Sequence, residues 1–166
     1  MKSYLSLIPI SAKVHQRQAR LVIDMEALSP QLIERCRPDL IKPNFYEFKL
    51  LTGQPGLTLA DLPDAAAKLR ESGVDNILVS LGAEGALLAT SEGIYRLTQE
   101  RIEAVNQVGS GDAMLAAFVG KLTEGCTKAE ALAWAGAAGS SVAMSHAEVS
   151  AEQIAVGLHR MHVHKL

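Results

Sequence analysis

The sequence predicts an α/β fold: a largely parallel sheet with helices on its faces. Three observations carry this. Short apolar runs rich in Leu, Ile and Val recur at 20–24 (RLVID), 39–42 (DLIK) and 76–80 (NILVS). Helix-length amphipathic segments separate them, and strands alternating with helices join through crossovers into a mostly parallel sheet. A hydrophobic fraction of 48% over 166 residues is enough to bury a real core in one compact domain.

In chain order, residues 1–11 (MKSYLSLIPIS) form a short, interrupted apolar stretch. It ends in no small-residue cleavage site and is too short to span a bilayer. The first fifteen or so residues read as the tail of a helix, whereas an α/β domain usually opens on a hydrophobic strand and a glycine-rich turn. The strand at 20–24 leads to a helix over 28–36, with Ser29 as N-cap and Pro30 at its first position. The strand at 39–42 is ended by Pro43. Asn44 caps a helix through Leu51 that stops at Gly53. An amphipathic helix over 59–71 closes on Ser72-Gly73, and a strand follows at 76–80. Runs at 85–90 and 93–97 form a hairpin around Ser91-Glu92. Helices are expected at about 111–124, 128–144 and 151–161. Without internal repeat, low-complexity tract or linker, residues 1–166 read as one domain.

Composition narrows the function. A net charge of -2 offers no electrostatic reason to bind nucleic acid or a membrane surface. Cys36 and Cys126 have no CxxC spacing, so reduced thiols are expected, without disulfide or metal. The Ala/Gly-rich stretch at 129–143 contains Trp134 and follows Lys128 and Glu130, which fits a buried helix better than a membrane span. A cytoplasmic location is the expectation.

Three motifs carry chemistry. Gly109-Ser110-Gly111-Asp112 precedes an apolar helix. The glycines let the backbone turn tightly without side chains in the way of a ligand. The free amides and positive dipole end of the following helix suit an anion. Taken alone, Asp112 reads more commonly as an N-cap that satisfies an amide itself. Lys42-Pro43-Asn44-Phe45-Tyr46-Glu47 stands just after a strand, where ligands bind in open α/β sheets. Asn44 and Glu47 share a helix face and can hold Mg²⁺ through water, or form a capping box. Ser80-Leu81-Gly82-Ala83-Glu84-Gly85 also ends a strand; its glycines allow close approach of a nucleotide, or make a plain hairpin turn. All three lie at carboxyl ends of strands, so one crevice can collect them. A dinucleotide-binding module is disfavoured, because no GxGxxG stands between an early strand and helix.

In this order, the KPNxxE, SLGxxG and GxGD elements resemble the PfkB (ribokinase-like) family of carbohydrate kinases, from about Leu21 to the C-terminus. The resemblance implies that Asp112 is the general base toward a sugar hydroxyl. The amides of Gly109, Ser110 and Gly111 would form the anion hole for the transferring phosphoryl group. Asn44 and Glu47 match the motif linked to Mg²⁺ and phosphate placement, with Lys42 beside them against phosphate charge. Ser80, Gly82 and Gly85 match the segment lining the nucleotide site. The implied ligands are ATP, Mg²⁺ and a sugar or sugar phosphate, with a monovalent cation as a further candidate. Asn106 with Ser110, and the IDMEALSP and LIKPNFYE stretches, are similar to the tagatose-6-phosphate kinase and 1-phosphofructokinase branch.

The family's N-terminal strands, most sugar contacts and small β lid have no counterpart here. The expectation is therefore the C-terminal portion of a ribokinase-like domain, with little or no activity alone. It would self-associate through the uncovered face. The competing expectation is a non-catalytic remnant that still binds nucleotide.

Overall fold

The computed structural model describes residues 6–166; the helix expected over the first residues lies outside this range for 1–5. The described helices are α1 (Leu7–Gln16), α2 (Pro30–Cys36), α3 (Phe45–Thr52), α4 (Leu62–Arg70), α5 (Ser110–Thr123), α6 (Lys128–Ala143) and α7 (Ala151–Gly157). The strands are β1 (Val22–Ile23), β2 (Leu40–Ile41), β3 (Asn76–Ser80), β4 (Ala86–Thr90), β5 (Gly93–Gln99) and β6 (Met161–Lys165). They hydrogen-bond in one mixed sheet in chain order, β1 to β6. The chain forms two compact units: Met1–Ser80 with Leu87–Ile94, and Leu81–Ala86 with Tyr95–Leu166.

In the first unit the parallel register pairs Ile23 with Ile41 and Ile41 with Ile77. That places the residues just past β1 and β2, Asp24 and Lys42, side by side. Helices α3 and α4 pack on β3, and α1 on α2. The core is apolar and tight: Ile33, Ile41, Phe48, Ile77, Leu78 and Leu88 are fully buried. Local chemistry sets the helix ends. Ser29 accepts the Leu32 amide hydrogen ahead of Pro30, and Gly53 ends α3 in the left-handed region at φ 66°. Helix α4 begins at Leu62, three residues after its expected start, because Asp61 accepts both the amide and the hydroxyl of Thr58 and turns the chain there.

In the second unit, α5 packs along α6, and α6 contacts α7 and β6. Two glycines of α6 make these approaches possible. A Cβ on Gly136 would meet the Leu97 side chain and, at 2.8 Å, Met161 Sδ; one on Gly139 would stand 3.2 Å from the Ser110 carbonyl. Strand β6 was not expected. The last helix ends at Gly157, a 3₁₀ turn covers Leu158–Arg160, and Met161–Lys165 then pairs antiparallel with β5, Leu97 opposite Val163. Cys36 and Cys126 are free thiols. No described helix is long and apolar enough to cross a membrane.

Candidate active site

The strand ends of the first unit gather Lys42, Asn44, Glu47 and Ser80. Pro43 stops β2, and its carbonyl accepts the Ser80 amide at 3.1 Å, while Asn44 and Ser80 form a parallel β-bridge. The KPNxxE element and the start of the SLGxxG element are therefore neighbours. Asn44 and Glu47 form a complete capping box: Asn44 Oδ1 accepts the Glu47 amide at 2.9 Å, and Glu47 Oε2 accepts the Asn44 amide at 2.8 Å. The structural alternative weighed for this pair is thus present. It spends Asn44 Oδ1 and one Glu47 oxygen, and leaves Glu47 Oε1 for a further ligand. Lys42 is 7% exposed, and its Nζ lies 3.1 Å from Asp24 Oδ2. Its charge is met inside the protein, a partnership the sequence reading did not identify. The signal was there: Asp24 ends the first strand run as Lys42 ends the second. A small recess beside them is lined by Ile23, Met25, Glu26, Lys42 and Glu47.

In the second unit, Gly82–Glu84 makes a 3₁₀ turn between β3 and β4. Gly82 (φ 58°) and Gly85 (φ 87°) both take left-handed backbone angles. At Gly85 there is a second requirement, since a Cβ would run into the Leu97 carbonyl of β5. The turn closes by hydrogen bonds from Leu81 to Gly85 (2.9 Å), Glu84 to Leu81 (3.1 Å) and Gly85 to Gly82 (3.0 Å).

The GxGD element opens α5. Gly109 is the N-cap at φ 80°, so the helix starts at Ser110 and Asp112 sits in its first turn. Asp112 is therefore not the N-cap, contrary to that alternative. It is exposed and makes no hydrogen bond or ion pair among the described residues. The preceding loop is docked rather than loose. The amides of Val105 and Asn106 donate to the Ala143 carbonyl at the end of α6, and Asn106 Oδ1 accepts the Val108 amide. Ser110 turns both its amide (3.3 Å) and its hydroxyl (2.8 Å) to the Gln107 carbonyl. Of the three amides expected to receive an anion, that of Ser110 is engaged within its own loop here.

Comparison with known proteins decides the family. The model of the pfkB family of carbohydrate kinases matches residues 3–153. The chain belongs to the pfkB family. Its pfkB relatives include 1-phosphofructokinase of Haemophilus influenzae, 30% identical over 87% of this chain and 46% of the relative. D-Tagatose-1-phosphate kinase of Bacillus licheniformis is 36% identical over 86% of this chain and 46% of the relative. Phosphofructokinase-2 of Escherichia coli, solved with substrates and products, shares the fold with a TM-score of 0.82 at 24% identity, over 93% of this chain and 51% of that one. The chain thus spans about half the length of the pfkB relatives it matches. Both curated relatives are sugar-phosphate kinases by name, in line with the branch the sequence resembles.

Proposed function

We propose that this chain carries the nucleotide-binding and catalytic-loop half of an ATP-dependent kinase that phosphorylates a hydroxyl of a sugar phosphate. The observation that carries this is Asp112: an exposed carboxylate, unpartnered among the described residues, in the first turn of a helix headed by a left-handed glycine, in a chain of the pfkB family. Phosphoryl transfer asks the protein for positioning and charge stabilisation rather than covalent help. Asp112 takes the proton of the acceptor hydroxyl as that oxygen bonds to the γ-phosphorus. The bond from the γ-phosphorus to the bridging oxygen breaks, and ADP leaves with its electron pair. The first-turn amides of α5 and its dipole receive the charge of the moving phosphoryl group. Gly109 keeps side-chain bulk away from it.

The residues of the first cluster fit a hydrated divalent cation. Mg²⁺ prefers oxygen ligands and keeps most of its waters, and Glu47 has an oxygen beyond the one used in the capping box. When bound, Mg²⁺ supplies charge neutralisation on the phosphates. Glu47 is its holder through water, while Asn44 acts mainly by fixing Glu47. Lys42, already paired with Asp24, orders the strand ends. Ser80, Gly82 and Gly85 line the nucleotide. A phosphorylated hexose as acceptor, a cytoplasmic setting and self-association belong to the same reading.

Calorimetric titration of the chain with Mg-ATP tests it. Weak saturable binding near the millimolar range, about 4 kcal/mol of binding free energy, is expected. Absence of heat at that concentration would contradict it.

A further inference from the structure

The 81–86 turn is held from β5 by one side chain. Arg96 Nη1 donates to the Ala86 carbonyl at 3.0 Å and also to the Leu97 carbonyl; Nη2 donates to the Glu84 carbonyl at 2.6 Å. Two of these acceptors, Glu84 and Ala86, flank Gly85, whose backbone is pressed against Leu97. Within the turn itself the carbonyls of Leu81, Gly82 and Gly85 accept from its own amides. Arg96 thus supplies donors from outside the turn to two of its carbonyls. Ala86 is fully buried, where an unmatched carbonyl is costly. Burial pulls the guanidinium below its ordinary value, with Glu84 acting in the opposite direction.

We infer that Arg96 is a positioning residue for nucleotide binding: its guanidinium fork fixes the Gly82–Gly85 backbone in the form that approaches the nucleotide. The inference rests on the reading that this turn lines the nucleotide site. A planar fork with five donors at fixed angles is what three separated carbonyls require; a lysine offers the same charge from a single point. The effect is therefore geometric rather than electrostatic, and the conservative exchange does not replace it.

The test uses the full chain and its Arg96→Gln and Arg96→Lys variants, with two readouts: amide hydrogen exchange and calorimetric Mg-ATP affinity. In both variants, exchange in 81–86 should quicken by roughly tenfold while α6 keeps its protection. Mg-ATP affinity should fall by about tenfold with Gln and nearly as far with Lys. Three results would overturn the role. Unchanged exchange in the turn would show that Arg96 does not fix it. A loosened turn with Mg-ATP affinity within about twofold of the original would separate the turn from the nucleotide. Faster exchange throughout α6 as well would make Arg96 a general stabilising contact. If the unsubstituted chain binds no Mg-ATP, the nucleotide reading itself falls and takes this role with it. That outcome is recognised without either variant.

Discussion

The two clusters differ in how their polar atoms are used. At the strand ends of the first unit, Lys42 is paired with Asp24, Asn44 with the Glu47 amide and Glu47 with the Asn44 amide. At the start of α5, Asp112 has no partner among the described residues. A carboxylate that does structural work is recognised by what it holds. One exposed and without a partner beside a helix N-terminus adds little to the fold beyond its interaction with the helix dipole. The difference also separates the consequences of substitution: the first cluster should answer in stability, Asp112 in turnover.

The largest stability effect expected is at Lys42. Lys42→Met leaves the part-buried Asp24 without its counter-charge. Breaking a fully buried pair costs roughly 3–5 kcal/mol, but the Asp24 side chain is 29% exposed, so about 1–3 kcal/mol is expected. Urea denaturation of the variant measures this. In the same assay Asp112→Asn should lose no more than about 0.5–1 kcal/mol, the contribution of an acid to a helix dipole. Equal losses at the two sites would erase the contrast.

A smaller effect is expected from Asn44→Ala, which removes the side chain capping α3. The loss should be about 1 kcal/mol, with a lowered thermal midpoint. Glu47→Gln keeps a group able to accept the Asn44 amide and should cost less. If Glu47→Gln instead destabilises as much as Asn44→Ala, the second half of the capping box carries more of the fold than this account assigns to it.

Helix N-termini were legible where a side chain does the capping. Ser29 and Asn44 sit before their helices as the sequence indicates, and Gly53 ends α3. Where the backbone does it the cap was not legible: Gly109 caps α5 by its left-handed angle, which removes the N-cap alternative for Asp112 and puts it in the first turn. Lys42, Asn44 and Ser80 could be placed because they stand at strand ends, which short apolar runs reveal; the GxGD element, expected at a strand end too, instead stands where the loop after β5 meets α5. The partners of the site residues were not legible. Asp24 meets Lys42 only through the β1–β2 register, and Arg96 meets Glu84 and Ala86 across twelve and ten residues of chain. Strand β6 escaped because exposed His162 and His164 break its apolar pattern, and its pairing with β5 is made 62 or more residues away in sequence. Such contacts are tertiary and leave no local periodicity.

The smallest effect sharpens the same comparison through pH. Hydrogen bonds from the Thr127 amide and hydroxyl hold the Glu130 carboxyl below its ordinary range, and those from Thr58 do the same for Asp61. A depressed folded-state value means that the unfolded chain takes up protons first. The stabilisation is present above the unfolded-state value and is lost as pH falls through the folded one. The urea midpoint should therefore decline on acidification through the carboxylate range. Glu130→Gln should flatten its share of the slope.

The central claim is that Asp112 is the base of a phosphoryl transfer. Its most direct measurement is the turnover number of Asp112→Asn in an enzyme completed with the N-terminal half of a close pfkB relative, assayed with ATP and sugar phosphates. The variant keeps the size of the side chain and removes its basicity. The account predicts a fall of roughly two to four orders of magnitude, with Mg-ATP affinity held or slightly raised. A fall of less than about tenfold, in a variant as stable as the parent, would contradict it, because general-base catalysis is worth more than that.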